Sequence, residues 1–145
     1  MTLHLVKLCV GCDSVEDLAQ WQKQRLARLR ARQSKARLCH VTRNFPRRAE
    51  ELLDGGSLFW VMKGLVRVRQ RIIGLKSARN EEGLSACAIE LGPRLYKTEL
   101  APWRPFQGWR YLEAEDAPAD RAAGNKGGDE LPAKLAAELR ELGLL

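Results

Sequence analysis

Between Ser57 and Leu91 the chain is rich in β-branched and aromatic residues and carries glycines where a helix would be weakened. Ser57-Leu58-Phe59-Trp60-Val61-Met62 is a short continuous apolar run, the pattern of a buried strand. Residues 63–79 admit two readings. As a helix, Val61, Leu65, Val68, Ile72 and Leu75 recur at helical spacing. As a strand, Val66, Val68, Gln70 and Ile72 face one side, with Lys63, Arg67, Arg69 and Arg71 on the other. The β-branched content (Val66, Val68, Ile72, Ile73) and Gly64 and Gly74 favour the strand. Asn80-Glu81-Glu82-Gly83 then reads as a hairpin turn, with Leu84–Leu91 returning beside it.

The flanking segments supply further strands and the helices. Leu3–Val10 is strand-like, and Ser14 with Asp17 three residues later makes a weakened capping box. Val15, Leu18, Gln22, Leu26 and Leu29 continue at helical spacing to about residue 34, with Arg25, Arg28 and Arg32 as a basic stripe. Residues 37–43 read as a short strand. Pro46 opens a second helix, Arg47–Leu53, which Asp54-Gly55-Gly56 ends. Gly92-Pro93 is expected to break the returning strand, after which Leu95–Leu100 forms another. Ala101–Pro105 is a rigid extended loop and Phe106–Leu112 a last strand. Residues 113–130 turn acidic and then glycine-rich, as a linker does, and Leu131, Leu135, Leu139 and Leu142 stripe a short terminal helix. The expected fold is α+β: a small mixed or antiparallel sheet with two or three flanking helices. At 145 residues it makes one core domain over 1–120, followed by the linker and helix of 121–145.

Charge is distributed unevenly along this framework. The net charge is +7, but residues 21–79 alone carry 16 basic and 3 acidic side chains. Residues 80–145 carry 8 basic and 12 acidic ones. Such asymmetry points to a polyanionic partner. If the acidic half folds back, it can screen the basic surface. No window approaches 18 consecutive apolar residues, and residues 1–8 lack a cationic start followed by a long apolar core. A cytoplasmic location without membrane contact is therefore expected, as a monomer or weak dimer. Cys9, Cys12, Cys39 and Cys87 are then expected as reduced thiols.

The chemistry-bearing residues are few. Cys9-x-x-Cys12 with Cys39-His40 has ligand types that suit zinc. Against this, Cys9 lies in an apolar strand, and adjacent Cys39 and His40 point to opposite faces of theirs. No metal or cofactor is expected, and His4 and His40 read as structural histidines. Gly-x-Ser-x-Gly, phosphate-loop, His-Glu-x-x-His and Gly-x-Gly-x-x-Gly signatures are absent from the sequence. No catalytic residue is assigned. A hydrolase reading would need a pocket joining His4 or His40 to Glu50, Glu51 or Asp54. The basic tract is more informative. Alternate residues of a strand lie about 6.8 Å apart, close to the phosphate repeat of an extended nucleic-acid strand, and arginine pairs well with phosphate. Lys63, Arg67, Arg69 and Arg71 would contact phosphates, with Arg43, Arg47, Arg48, Arg104 and Arg110 nearby, while Trp60 or Trp109 stacks a base.

Four blocks carry a resemblance to a known family. They are Leu3–Gly11, Pro46–Gly64 (with Pro46-Arg47-Arg48-Ala49-Glu50-Glu51 and Leu52-Leu53-Asp54-Gly55-Gly56-Ser57), Arg69-Gln70-Arg71-Ile72, and Arg104–Leu112. Over residues 1–120 the chain resembles the proteobacterial family numbered 1489 among domains of unknown function. That resemblance implies a small cytoplasmic bacterial protein and brings no assigned activity. More loosely, a helix ending in Leu-Leu-Asp-Gly-Gly followed by a strand and hairpin is similar to the small barrels of the PUA and ASCH superfamily. Those domains mostly bind RNA or modified nucleotides. The expectation is a non-enzymatic RNA- or nucleotide-binding module. The alternatives are an assembly factor docking an acidic protein, and a small hydrolase acting on an anionic substrate.

Overall fold

The computed structural model describes residues 2–104, 106 and 108–121. Six strands make one mixed sheet: β1 (Leu3–Leu8), β2 (Leu38–Thr42), β3 (Ser57–Met62), β4 (Leu65–Arg79), β5 (Ser85–Pro102) and β6 (Trp109–Glu113). Their order is β2-β5-β4-β3-β1-β6. β1 and β3 run parallel, and each other neighbouring pair is antiparallel. The helices are α1 (Val15–Arg32) and the single-turn α2 (Ala49–Leu52). The sheet is open, with β2 and β6 as its two edges, so the expected PUA-like barrel does not form. The terminal helix expected over 130–142, and the linker before it, lie outside the described residues.

Of residues 63–79, Leu65–Arg79 form strand β4, with departures from simple alternation. Lys63 and Gly64 both have positive φ, 50° and 75°, and form the two-residue turn between β3 and β4. Such turns match the twist of the strands they join. A bulge follows, because Val61 pairs with Val66 but Trp60 pairs with Val68. Arg67 is the extra residue. Val66 and Val68 consequently lie on opposite faces: Val66 packs with Val6, Phe59, Val61 and Leu112. Val68 joins Leu5, Leu58, Trp60 and Ile72 under α1.

Gly92-Pro93 does not end the returning strand. β5 continues through it to Pro102, because β4 absorbs the irregularity: Ile72 pairs with Leu91 and Gln70 with Leu95, leaving Arg71 opposite three residues. Here the ribbon bends, as unequal residue counts make a strand do. The far halves of β4 and β5, with β2, fold over the inner face, so that the His40 ring meets Trp60 edge-on at 5.2 Å. Cys87, Ile89 and Leu91 thereby share a core with Leu3, Leu5 and Leu58.

α1 closes this core. Ser14 caps it by accepting from the Asp17 amide, while Glu16 and Asp17 in its first turn and Arg30 and Arg32 in its last favour the helix dipole. Asp17 Oδ2 accepts from the Asp13 amide, so the reciprocal half of the capping box is displaced by one residue. Val15, Leu18 and Gln22 are its buried positions. Gln22 and Gln70 exchange side-chain hydrogen bonds of 2.8 and 2.7 Å. Gln70 Oε1 also accepts from Trp60 Nε1 at 2.9 Å, and Gln70 Nε2 donates to the Gly92 carbonyl at 3.1 Å. One fully buried amide therefore ties α1, β3 and the bend together. Under α2, Gly56 packs so closely on the carbonyls of Leu3 and Leu52 that a Cβ would overlap both. The Asp54-Gly55-Gly56 segment is thus a helix stop. Among the described residues, no helix is long and apolar enough to cross a membrane.

Gln70→Ala would leave the Trp60 indole N–H and Gln22 buried without their partner. At about 1–3 kcal/mol for each stranded group, the substitution should cost about 2–4 kcal/mol in urea denaturation. Gln22→Ala should cost less, because Gln70 keeps Trp60 and Gly92. Equal, negligible losses in both would show that the network does not brace the fold.

Candidate functional site

The fold disperses the basic strand that the sequence suggests. Lys63 sits in the hairpin turn and not on a strand face. Arg67, at the bulge, is buried to 6% exposure, and its Nε donates to the Met62 carbonyl at 2.8 Å. Arg69 grips Asp120 through two hydrogen bonds of 2.7 and 2.8 Å, donates to Ser57 Oγ at 2.9 Å and lies 4.4 Å from the Tyr96 ring centre. That pairing holds the Asp120 carboxyl below its ordinary pKa. Arg71 alone of the four is an exposed strand residue. Trp60 is 3% exposed beneath α1, with its N–H committed to Gln70, so it offers no face to a base. Arg48 pairs with Glu51 and Glu113 and lies over Tyr111. Arg47 and Arg104 are exposed and stand outside the cleft described next.

Of the other predicted residues, Arg43, Trp109 and Arg110 do come together, joined by Lys7 and Asn44, which the sequence reading did not single out. Lys7, Arg43, Asn44, Trp109 and Arg110 line a cleft of about 670 Å³ at the C-terminal ends of β1 and β2, beside the start of β6. Among the described residues, no acidic side chain is in its lining. Trp109 is fixed there: its Nε1 donates to the Asn44 carbonyl at 3.0 Å and its ring meets Tyr111 edge-on at 4.9 Å. Arg110 donates to the Trp109 carbonyl and lies 5.5 Å from the Phe106 ring centre.

A second cleft of about 690 Å³ adjoins the first, with Lys7 and Val41 in both linings. It lies between the start of α1, the β1–α1 loop and β2, with Trp60 and Leu18 toward the core and Trp21 and Gln24 on the helix side. Two polar groups here lack partners among the described residues. His40 Nε2 is buried without a hydrogen bond. The Lys7 amine has neither an ion pair nor a hydrogen bond among the described residues, and burial holds its pKa below the usual lysine value. Burial, followed by the charges of Lys7 and Arg25, pushes His40 down to about 4, so its imidazole is neutral at pH 7. Burial also raises the Cys9 thiol, with Cys12 close by adding to the effect, so Cys9 is a poor source of thiolate.

The remaining histidine is structural. His4 Nδ1 accepts from the Ser57 amide at 3.0 Å and its ring meets Phe59 edge-on at 5.1 Å. Burial and nearby Arg69 keep it neutral. Among the described residues, the cleft that holds His40 has Asp17 in its lining, and not Glu50, Glu51 or Asp54. All four cysteines are free, and among the described residues no three His, Cys, Asp or Glu side chains gather as metal ligands.

Lys7, His40, Val41 and Asn44 were not legible as site residues from composition. One signal was present: the alternation that buries Leu3 and Leu5 puts Lys7 on the same face, where an apolar residue is expected. A lysine ending a core-facing register marks where the core opens to a ligand or solvent.

Residues 5–145 match the family described as a protein of unknown function, DUF1489. The match takes in the glycine-rich stretch and the C-terminal residues, which the resemblance seen in the sequence blocks did not reach. No curated protein and no solved structure matches the chain.

Since protonation is disfavoured in the folded state, the unfolded chain takes up the His40 proton first. The His40 contribution to stability is therefore complete above pH 6.5 and is lost as the pH falls toward about 4, by about 3 kcal/mol in all. His40→Phe should flatten this part of the stability curve in urea titrations at successive pH values. His4 acts in the same direction in both proteins. A variant curve parallel to the parent's would mean that His40 is not held neutral.

Proposed function

On the premise that the chain belongs to the DUF1489 family, we propose that it is a non-enzymatic binding module for RNA or a nucleotide. The contact surface is the cationic cleft at the ends of β1, β2 and β6, not the face of β4. The observation that carries the reading is the cleft lining: Lys7, Arg43 and Arg110 converge with a fixed indole and two asparagines, Asn44 and Asn80, and no carboxylate lies among the described lining residues. Guanidinium groups pair with phosphate oxygens in a fork geometry, and an indole edge or face suits a nucleobase. Arg43 has no ion pair among the described residues, so a phosphate need not displace a carboxylate from it. An acidic partner protein would also meet these charges, but a concave cleft of about 670 Å³ favours a ligand smaller than a protein surface.

Fluorescence anisotropy with a labelled single-stranded oligoribonucleotide tests this. Affinity should fall with salt, with a log–log slope of about −0.7 for each phosphate contacted. Arg43→Ala and Arg110→Ala should each weaken binding several-fold and shallow the slope by about that amount, whereas Arg32→Ala at the end of α1 should do neither. Absent binding at low salt, or losses equal for Arg32 and the cleft arginines, would overturn the proposal.

A further inference from the structure

We propose that the two adjoining clefts form one bipartite site for a mononucleotide, with the phosphate held by Arg43 and Arg110 and the base inserted between α1 and β2 beside His40. This rests on the phosphate-binding reading above and goes further in assigning the ligand its size and its second contact.

Three observations lead there. The clefts share Lys7 and Val41 and so adjoin there, and their volumes of about 690 and 670 Å³ are each of ligand size. Their linings are chemically different. The cationic one has no acidic side chain among its described lining residues, while the other combines apolar Leu8, Trp21 and Val41 with the unpartnered Nε2 of His40. A buried imidazole nitrogen without a partner is costly. A nucleobase edge carries donors and acceptors that would satisfy it, whereas a purely apolar ligand would not. At the seam stands the Lys7 amine, whose ammonium form is penalised by burial and would be restored by a phosphate beside it.

The third observation sets the ligand's size. A long strand needs a continuous track of available cations, and several arginines around the sheet are already engaged within the fold. Arg48 is held by Glu51 and Glu113, Arg67 by the Met62 carbonyl and Arg69 by Asp120. The cleft gathers three cationic side chains, Lys7, Arg43 and Arg110, which suits one or two phosphates.

Titrations followed by intrinsic tryptophan fluorescence should compare AMP, GMP, CMP and UMP with ribose 5-phosphate and inorganic phosphate at low salt. At least one nucleotide should bind about tenfold or more tightly than ribose 5-phosphate. His40→Phe should remove that advantage and leave ribose 5-phosphate unchanged, while Arg43→Ala should weaken every phosphate-bearing ligand. Should His40→Phe fail to fold in thermal melts, the comparison of nucleotide with ribose 5-phosphate on the parent protein decides alone. Nucleotides binding no more tightly than ribose 5-phosphate would overturn the bipartite site. If the oligoribonucleotide still bound with its salt slope, the phosphate-binding reading would survive that loss. If neither bound, both would fall.

Discussion

The side chain of Gln70 is the constraint around which this molecule is organised. Its amide contacts α1 through Gln22, the central strand through Trp60, and the bend of the long ribbon through the Gly92 carbonyl. A buried amide can be left neither unpaired nor half-paired without cost, so each partner is held in one place. The bend in turn carries β2 across the inner face until His40 meets Trp60. The cleft that separates β2 from the end of β1 is a product of that bend. Without it, β2 would extend a flat sheet, and Lys7 would be an ordinary surface lysine.

The distribution of charge takes on a different meaning in three dimensions. Sixteen basic residues between positions 21 and 79 suggest a single basic surface. The fold instead engages several of them in its own architecture, and the acidic second half supplies the counter-charges: Asp120 to Arg69 and Glu113 to Arg48. Bidentate arginine–carboxylate contacts are oriented as well as attractive. The Arg69–Asp120 pair fixes the segment at 119–121 along β5, where the Glu99 amide bonds the Ala119 carbonyl and the Arg121 amide bonds the Lys97 carbonyl. Net charge therefore overstates the surface available to an anion, and the gathering of Lys7, Arg43 and Arg110 in one cleft is the more telling quantity.

Much of the fold was legible in the residues. Ser14 caps α1 where the pattern placed it, β-branched content correctly decided residues 65–79 as strand, and Gly55-Gly56 ends α2. What escaped were the irregularities. A one-residue bulge at Arg67 reverses every side chain on one side of it, and nothing in the alternation of valines and arginines announces where the register slips. For the same reason the Lys63-to-Arg71 face was misread as continuous. Gly92-Pro93 looked like a strand end because proline cannot donate to a ladder. In the structure it falls where β4 contributes one residue against three, so β5 passes through. The cleft joins the ends of β1 and β2 with β6, segments separated by some thirty to seventy residues, and its composition is set by the bend. Only Lys7, out of pattern at the end of a core-facing register, hinted at it.

A bound phosphate-bearing ligand should therefore be found at the junction of β1, β2 and β6. The most direct measurement is an amide chemical-shift titration of the full chain with a short single-stranded oligoribonucleotide. The account predicts perturbations concentrated at Lys7, Val41–Asn44 and Gly108–Arg110, with the exposed face of β4 around Arg71 unmoved. Perturbations spread along β4 and the arginines of α1, with the cleft silent, would contradict it.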